Sequence, residues 1–248
     1  MASAFKLATV VTLLELVDQG KIQLTDVIDI PVESLVAGPN RIATHFIHPG
    51  LKSHVANLIE PMIADSDNTA ANCCLRLSGG PEVVTQMLRR IGITDQRADW
   101  CCTELAQDIC GLSDKGHVSV AMAAYAKDPT LAGRIADRNL DFEKDPRDQS
   151  MPKAMLELLL AIDIGKILSE KSREFLLGVM SRTQTGGGRI AHKTGTAGGV
   201  ADDVWFLTLP DGRRVAIAVF TKSSATPPQR IGIELLRKLA VPSTTSFV

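Results

Sequence analysis

Aromatic side chains are scarce in this chain: seven Phe, two Trp and one Tyr among 248 residues. Any core must therefore be built from Leu, Val, Ile and Ala. No apolar run approaches the roughly 18–20 residues of a membrane span, so the sequence holds no membrane segment. An excess of one charge is lacking too. The 27 Lys and Arg against 28 Asp and Glu leave a net charge of −1, which gives no general attraction to nucleic acid or to an anionic membrane surface. Met1-Ala2-Ser3-Ala4-Phe5-Lys6 offers neither the basic start nor the apolar stretch of a secretory signal. Export is not encoded in the chain as given, which reads as cytoplasmic. Cysteines number five, Cys73, Cys74, Cys101, Cys102 and Cys110. Two adjacent pairs and a single fit neither a disulfide framework nor a zinc motif, so they read as small, half-buried thiols. His45 and His48 have ligand spacing but lie in a Pro- and Gly-rich stretch without a third ligand, and no metal or cofactor is predicted.

What is present is a globular balance of 45% hydrophobic and 22% charged residues, which excludes fibrous, collagenous and disordered classes. Apolar spacing predicts a buried helix over 3–19 with Gly20 as its stop. Residues 21–57 are looser, and helices follow over 55–64, 68–77 and 82–91, the last pair separated by Gly79-Gly80-Pro81. Residues 95–116 lack clear periodicity, and 118–126 reads as a short helix. Ser150 suits the N-cap and Pro152 the first turn of a helix over 152–162, and Ser169 caps another that runs to about Met180. The period then changes. Segments 190–196, 204–209 and 215–221 read as strands, with Pro210-Asp211-Gly212-Arg213 as a hairpin and a closing helix over 228–240. The expected fold class is α+β, an antiparallel sheet packed by helices.

Three short motifs occur in order: Ser3-Ala-Phe-Lys6, Ser66-Asp67-Asn68 and Lys193-Thr194-Gly195. An S-x-x-K arises by chance about once in a chain of this length, and a second one is present at Ser150-Met-Pro-Lys153. Each of the other two arises in roughly one chain in twenty, so the ordered set is informative where each member is not. Ser3 fits both the order and the chemistry. Serine and lysine three apart share a helix face, where an amine can activate a hydroxyl, and a helix N-terminus favours a developing oxyanion. Ser150 is sufficiently explained as a helix cap.

This ordered trio resembles that of class A serine β-lactamases and their penicillin-recognising relatives. The likeness extends over most of the chain, through Ser66-Asp-Asn-Thr-Ala-Ala-Asn72, Gly79-Gly-Pro81, Asp148-Gln-Ser150-Met-Pro152, His192-Lys-Thr-Gly-Thr196 and Leu209-Pro-Asp-Gly212. It implies a single β-lactamase/transpeptidase-like domain with a helical part over about 21–185. An α/β part would occupy about 189–248, with the nucleophile helix 3–19 at the junction. It implies Ser3 as the acylated nucleophile, Lys6 as its base and Ser66 as the proton relay to the leaving nitrogen. Asn68 would hold the substrate amide, and Lys193, Thr194 and Thr196 its carboxylate side. The Ser3 and Thr196 amides would form the oxyanion hole. The implied partner is a small-molecule β-lactam.

Two departures leave alternatives open. The family activates its hydrolytic water with a glutamate in an E-x-x-L-N pattern, and Glu104 is the nearest candidate. Glu104-Leu-Ala-Gln-Asp108, however, keeps neither Leu nor Asn in place. Without that base the acyl-enzyme would persist, as in a penicillin-binding protein; a peptidase- or esterase-type hydrolase is a further reading. Family members, usually exported, also place a helix and two strands before their S-x-x-K. Here Ser3 is nearly the first residue, so the expectation is a truncated domain whose strand 215–221 lacks a neighbour, and a non-catalytic remnant is an alternative.

Overall fold

The computed structural model describes residues 1–36, 40–46, 48, 50–111, 127–128, 130, 137, 139–183, 190–209 and 212–222. The helices expected over 118–126 and 228–240, and most of the Pro210–Arg213 turn, lie outside them.

The first helix, α1 (Phe5–Asp18), is buried at every position from Phe5 to Leu14. A helix that is apolar on all sides needs neighbours on all sides, and α1 packs against α3 (Val55–Ala64), α4 (Asn68–Leu77), α5 (Pro81–Arg90) and α9 (Glu170–Ser181). It begins two residues later than its spacing predicts. Ala2, Ser3 and Ala4 form a tight turn in which their carbonyls accept from the amides of Phe5, Lys6 and Leu7 at 3.1–3.3 Å. Ser3 thus sits just ahead of the helix. Between α1 and α3, the loose region carries a small hairpin, β1 (Val27–Asp29) with β2 (Lys52–His54), and the short helix α2 (Arg41–His45).

Two readings change. Residues 95–116, without period, contain the helix α6 (Cys102–Ile109). Ser150 does not cap α8 (Pro152–Asp163): Met151 is the N-cap, and Ser150 pairs with Gln96 in an isolated bridge. Pro152 does open that helix, and Ser169 Oγ does accept the Ser172 amide at 3.2 Å to cap α9.

The three strands β3 (Ile190–Ala197), β4 (Val200–Thr208) and β5 (Arg214–Lys222) form an antiparallel sheet in that order. Among the described residues β5 pairs with β4 alone. Helix α8 packs on β4 and β5, and α9 on β3. Cross-strand register places Lys193 opposite Val204 and Gly195 opposite Asp202, so these four share the face turned toward α1. A second, smaller cluster joins Ala2, Trp100, Leu105, Ile109, Ala197 and Phe142, the last on α7 (Leu140–Lys144). It fastens α6 and α7 to the β3–β4 hairpin beside Ser3.

Candidate active site

The Ser66-Asp67-Asn68 segment is pinned before it contributes chemistry. Asp67 caps α4, its Oδ1 accepting the Ala70 amide at 2.8 Å and its Oδ2 the Ile42 amide at 2.9 Å. The Asn68 amide donates to Asn40 Oδ1 at 2.9 Å. These bonds hold Ser66 at φ 59°, a left-handed conformation that a non-glycine residue adopts at a cost. Asp67→Ala is expected to lose about 2 kcal/mol, because it removes a cap and strands a buried amide; a urea unfolding midpoint measures it.

Around Ser66 two lysines converge, both buried. Lys6 Nζ contacts Ser66 O at 2.6 Å, Ser66 Oγ at 3.1 Å and Asn68 Oδ1 at 2.6 Å. Lys193 Nζ, from β3, contacts Ser66 Oγ at 2.9 Å and the Thr194 carbonyl. Burial holds both amines below the ordinary lysine range, and Lys193 is lowered further by the charge of Lys6. Two ammonium groups on one hydroxyl repel. One neutral amine and one ammonium remove the repulsion, the neutral one accepting from the Ser66 hydroxyl. Burial depresses Lys193 the more strongly of the two, with Asp203 and Asp202 pulling the other way.

The structure thus brings Lys6, Ser66, Asn68 and Lys193 together, as the motifs predict. Ser3 lies at their edge through β3, where the Cα of Gly195 abuts the amides of Ser3 and Ala4. A Cβ built there would meet Ser3 N at 2.7 Å. The direct bond from Lys6 to Ser3 suggested by their spacing is not among the amine's contacts, which go to Ser66 and Asn68. Thr194 is half-buried and Thr196 exposed on the adjoining strand.

Glu104 is not with this group. Its Oε2 accepts the Cys101 amide at 2.8 Å, closing a capping box at the start of α6. The Cys101-x-x-Glu104 spacing is itself the cue for that role. The α6 side chain in the electrostatic field of both lysines is Cys102, buried, its amide held by Asn72 Oδ1 at 2.8 Å. Burial pushes this thiol above the ordinary cysteine range, so it is protonated at neutral pH.

An antiparallel sheet flanked by helices, with paired buried lysines at its junction with them, defines the β-lactamase/transpeptidase-like class of α+β proteins. The chain belongs to the β-lactamase enzyme family, whose model matches residues 1–241. It is similar to the extended-spectrum β-lactamase PER-1 of Pseudomonas aeruginosa, 24% identical, with 91% of this chain and 68% of that protein covered. A solved β-lactamase from Chitinophaga pinensis superposes with TM-score 0.72 at 26% identity, over 96% of this chain and 83% of that one. The reconstructed last common ancestor of Gram-negative class A β-lactamases superposes at 0.70 and 26% identity, over 93% of this chain and 79% of its own.

Proposed function

We propose that the protein opens β-lactam amides by acyl transfer to Ser3, and that hydrolysis of the resulting ester is the slow step. The observation that carries the first half is the shared Ser66 hydroxyl, 3.1 Å from Lys6 Nζ and 2.9 Å from Lys193 Nζ. Neutral Lys6 takes the Ser3 proton as Oγ bonds to the lactam carbonyl carbon. Ser66 passes a proton to the ring nitrogen as the C–N bond breaks. Lys193, Thr194 and Thr196 hold the substrate carboxylate, Asn68 its side-chain amide, and the Ser3 and Thr196 amides the oxyanion. Water must then form the new C–O bond and return a proton to Ser3 as the ester breaks. That step needs a base, and a protonated Cys102 and a capping Glu104 leave it poorly supplied.

The test is intact-mass analysis during incubation with a chromogenic cephalosporin. An adduct mapped to Ser3 that outlasts colour development by many minutes is expected. No adduct and no colour from a cooperatively folding protein would sink the reading. The acylation rate should rise with pH and level off below the ordinary lysine range, since burial lowers the proton affinity of the Lys6–Lys193 pair and the base must be neutral. A rate falling steadily from pH 6 to pH 9 is the contrary result.

A further inference from the structure

Asp202 lies on β4 with its carboxylate buried at 3% exposure, in a strand that turns Val204 and Phe206 inward on the same face. A carboxylate there is costly unless something holds it. Its Oδ2 accepts the amide of Ala2, the residue before Ser3, at 2.8 Å; its Oδ1 takes no hydrogen bond among the described residues. Its cross-strand partner is Gly195, the residue against which the Ser3 and Ala4 amides pack. One register pair therefore touches the nucleophile turn twice: Gly195 presses on the amides of residues 3 and 4, and Asp202 draws in the amide of residue 2.

We propose that Asp202 is a positioning residue for Ser3, fixing the turn over residues 2–4 against β3 through the Ala2 amide. The turn is also tied at Met1, whose ammonium donates to the Asp148 carbonyl, and by Ala2 packed in the cluster of Trp100 and Phe142. Its own bonds are the long 3.1–3.3 Å contacts that open α1, and no side-chain cap secures that helix start. The Met1 ammonium is the largest compensating charge on Asp202, and Lys193, a neighbour on the same face, adds to it. The role rests on the reading of Ser3 as the nucleophile.

The experiment measures acylation of the full chain by intact mass, with a chromogenic cephalosporin and separately with a fluorophosphonate, for Asp202→Ala, Asp202→Leu and Asp202→Asn. Leu copies the shape of Asp without an acceptor, and Asn keeps an acceptor oxygen. The maximal acylation rate should fall about 100-fold in Ala and Leu, with the half-saturating concentration little changed, because a misplaced nucleophile slows the chemical step. Asn should recover most of the loss. Wild-type rates in Leu, or an Asn variant as slow as Leu, would overturn the role, and either outcome stands even if Ala does not fold. If the fluorophosphonate labels Ser3 with this dependence while the cephalosporin does not, the β-lactam reading fails and the positioning role survives. Labelling of Ser3 by neither reagent overturns both.

Discussion

Cys102→Glu is expected to raise steady-state hydrolysis of a chromogenic cephalosporin by about 100-fold or more, within the range that a positioned general base contributes. Cys102 is buried and lies within the fields of Lys6 and Lys193. Its thiol is held protonated by burial and cannot accept a proton from water. A carboxylate in its place has the remaining ammonium of the Lys6–Lys193 pair to keep it ionised and remains a proton acceptor. The acylation rate should change little, and the adduct on Ser3 should become short-lived. Cys102→Ala separates this account from one in which the thiol itself is the base: hydrolysis should stay at its slow native rate. A marked drop in that variant would contradict the account. Glu104→Gln should likewise leave hydrolysis unchanged, since Glu104 serves the Cys101 amide.

Gly195→Ala carries the second large effect. The added Cβ would lie 2.7 Å from Ser3 N, 2.9 Å from Ala4 N and 3.1 Å from the Ala2 carbonyl carbon. All three are backbone atoms of the turn that carries Ser3, so no flexible side chain can yield. The turn must move off β3. A displacement of this kind costs on the order of 100-fold in rate, while the overpacking costs about 1–3 kcal/mol in stability. Acylation followed by mass should show the first and thermal unfolding the second. Gly178 provides the comparison. It sits within α9, and its added Cβ would meet only Arg182 Nη1, at 3.6 Å. Gly178→Ala is expected to leave acylation unchanged and to stabilise the protein by about 0.5–1 kcal/mol. Equal losses in the two variants would remove the argument for a special contact at Gly195.

Much of this site is legible in the residues alone. Ser66, Asn68 and Lys193 were expected beside Lys6, and all four meet around one hydroxyl. Helices α3, α4, α5 and α9 fall close to the segments expected for them. Glu104 is different. Counting from Ser66 places it near the site, but the N-terminus of α6 falls at Cys101, and a glutamate three residues on folds back to its own helix end. That phase was hidden in a stretch without periodicity. Asp202 carried no motif at all. Its meaning comes from parity along β4 and from its register with Gly195, and both depend on the sheet that surrounds it.

By itself, the sequence determined the class of fold, its longer helices and the three strands of its sheet, and the ordered serine and lysine motifs. These are written in short-range patterns of period, caps and ordered motifs. Only the tertiary structure decided that Cys102 and not Glu104 enters the field of the lysines. It also decided that Lys6 reaches Ser66 rather than Ser3, and that Gly195 and Asp202 both touch the turn over residues 2–4. Those outcomes follow from helix phase and cross-strand register, which set distances between residues far apart in the chain and leave no local mark in it.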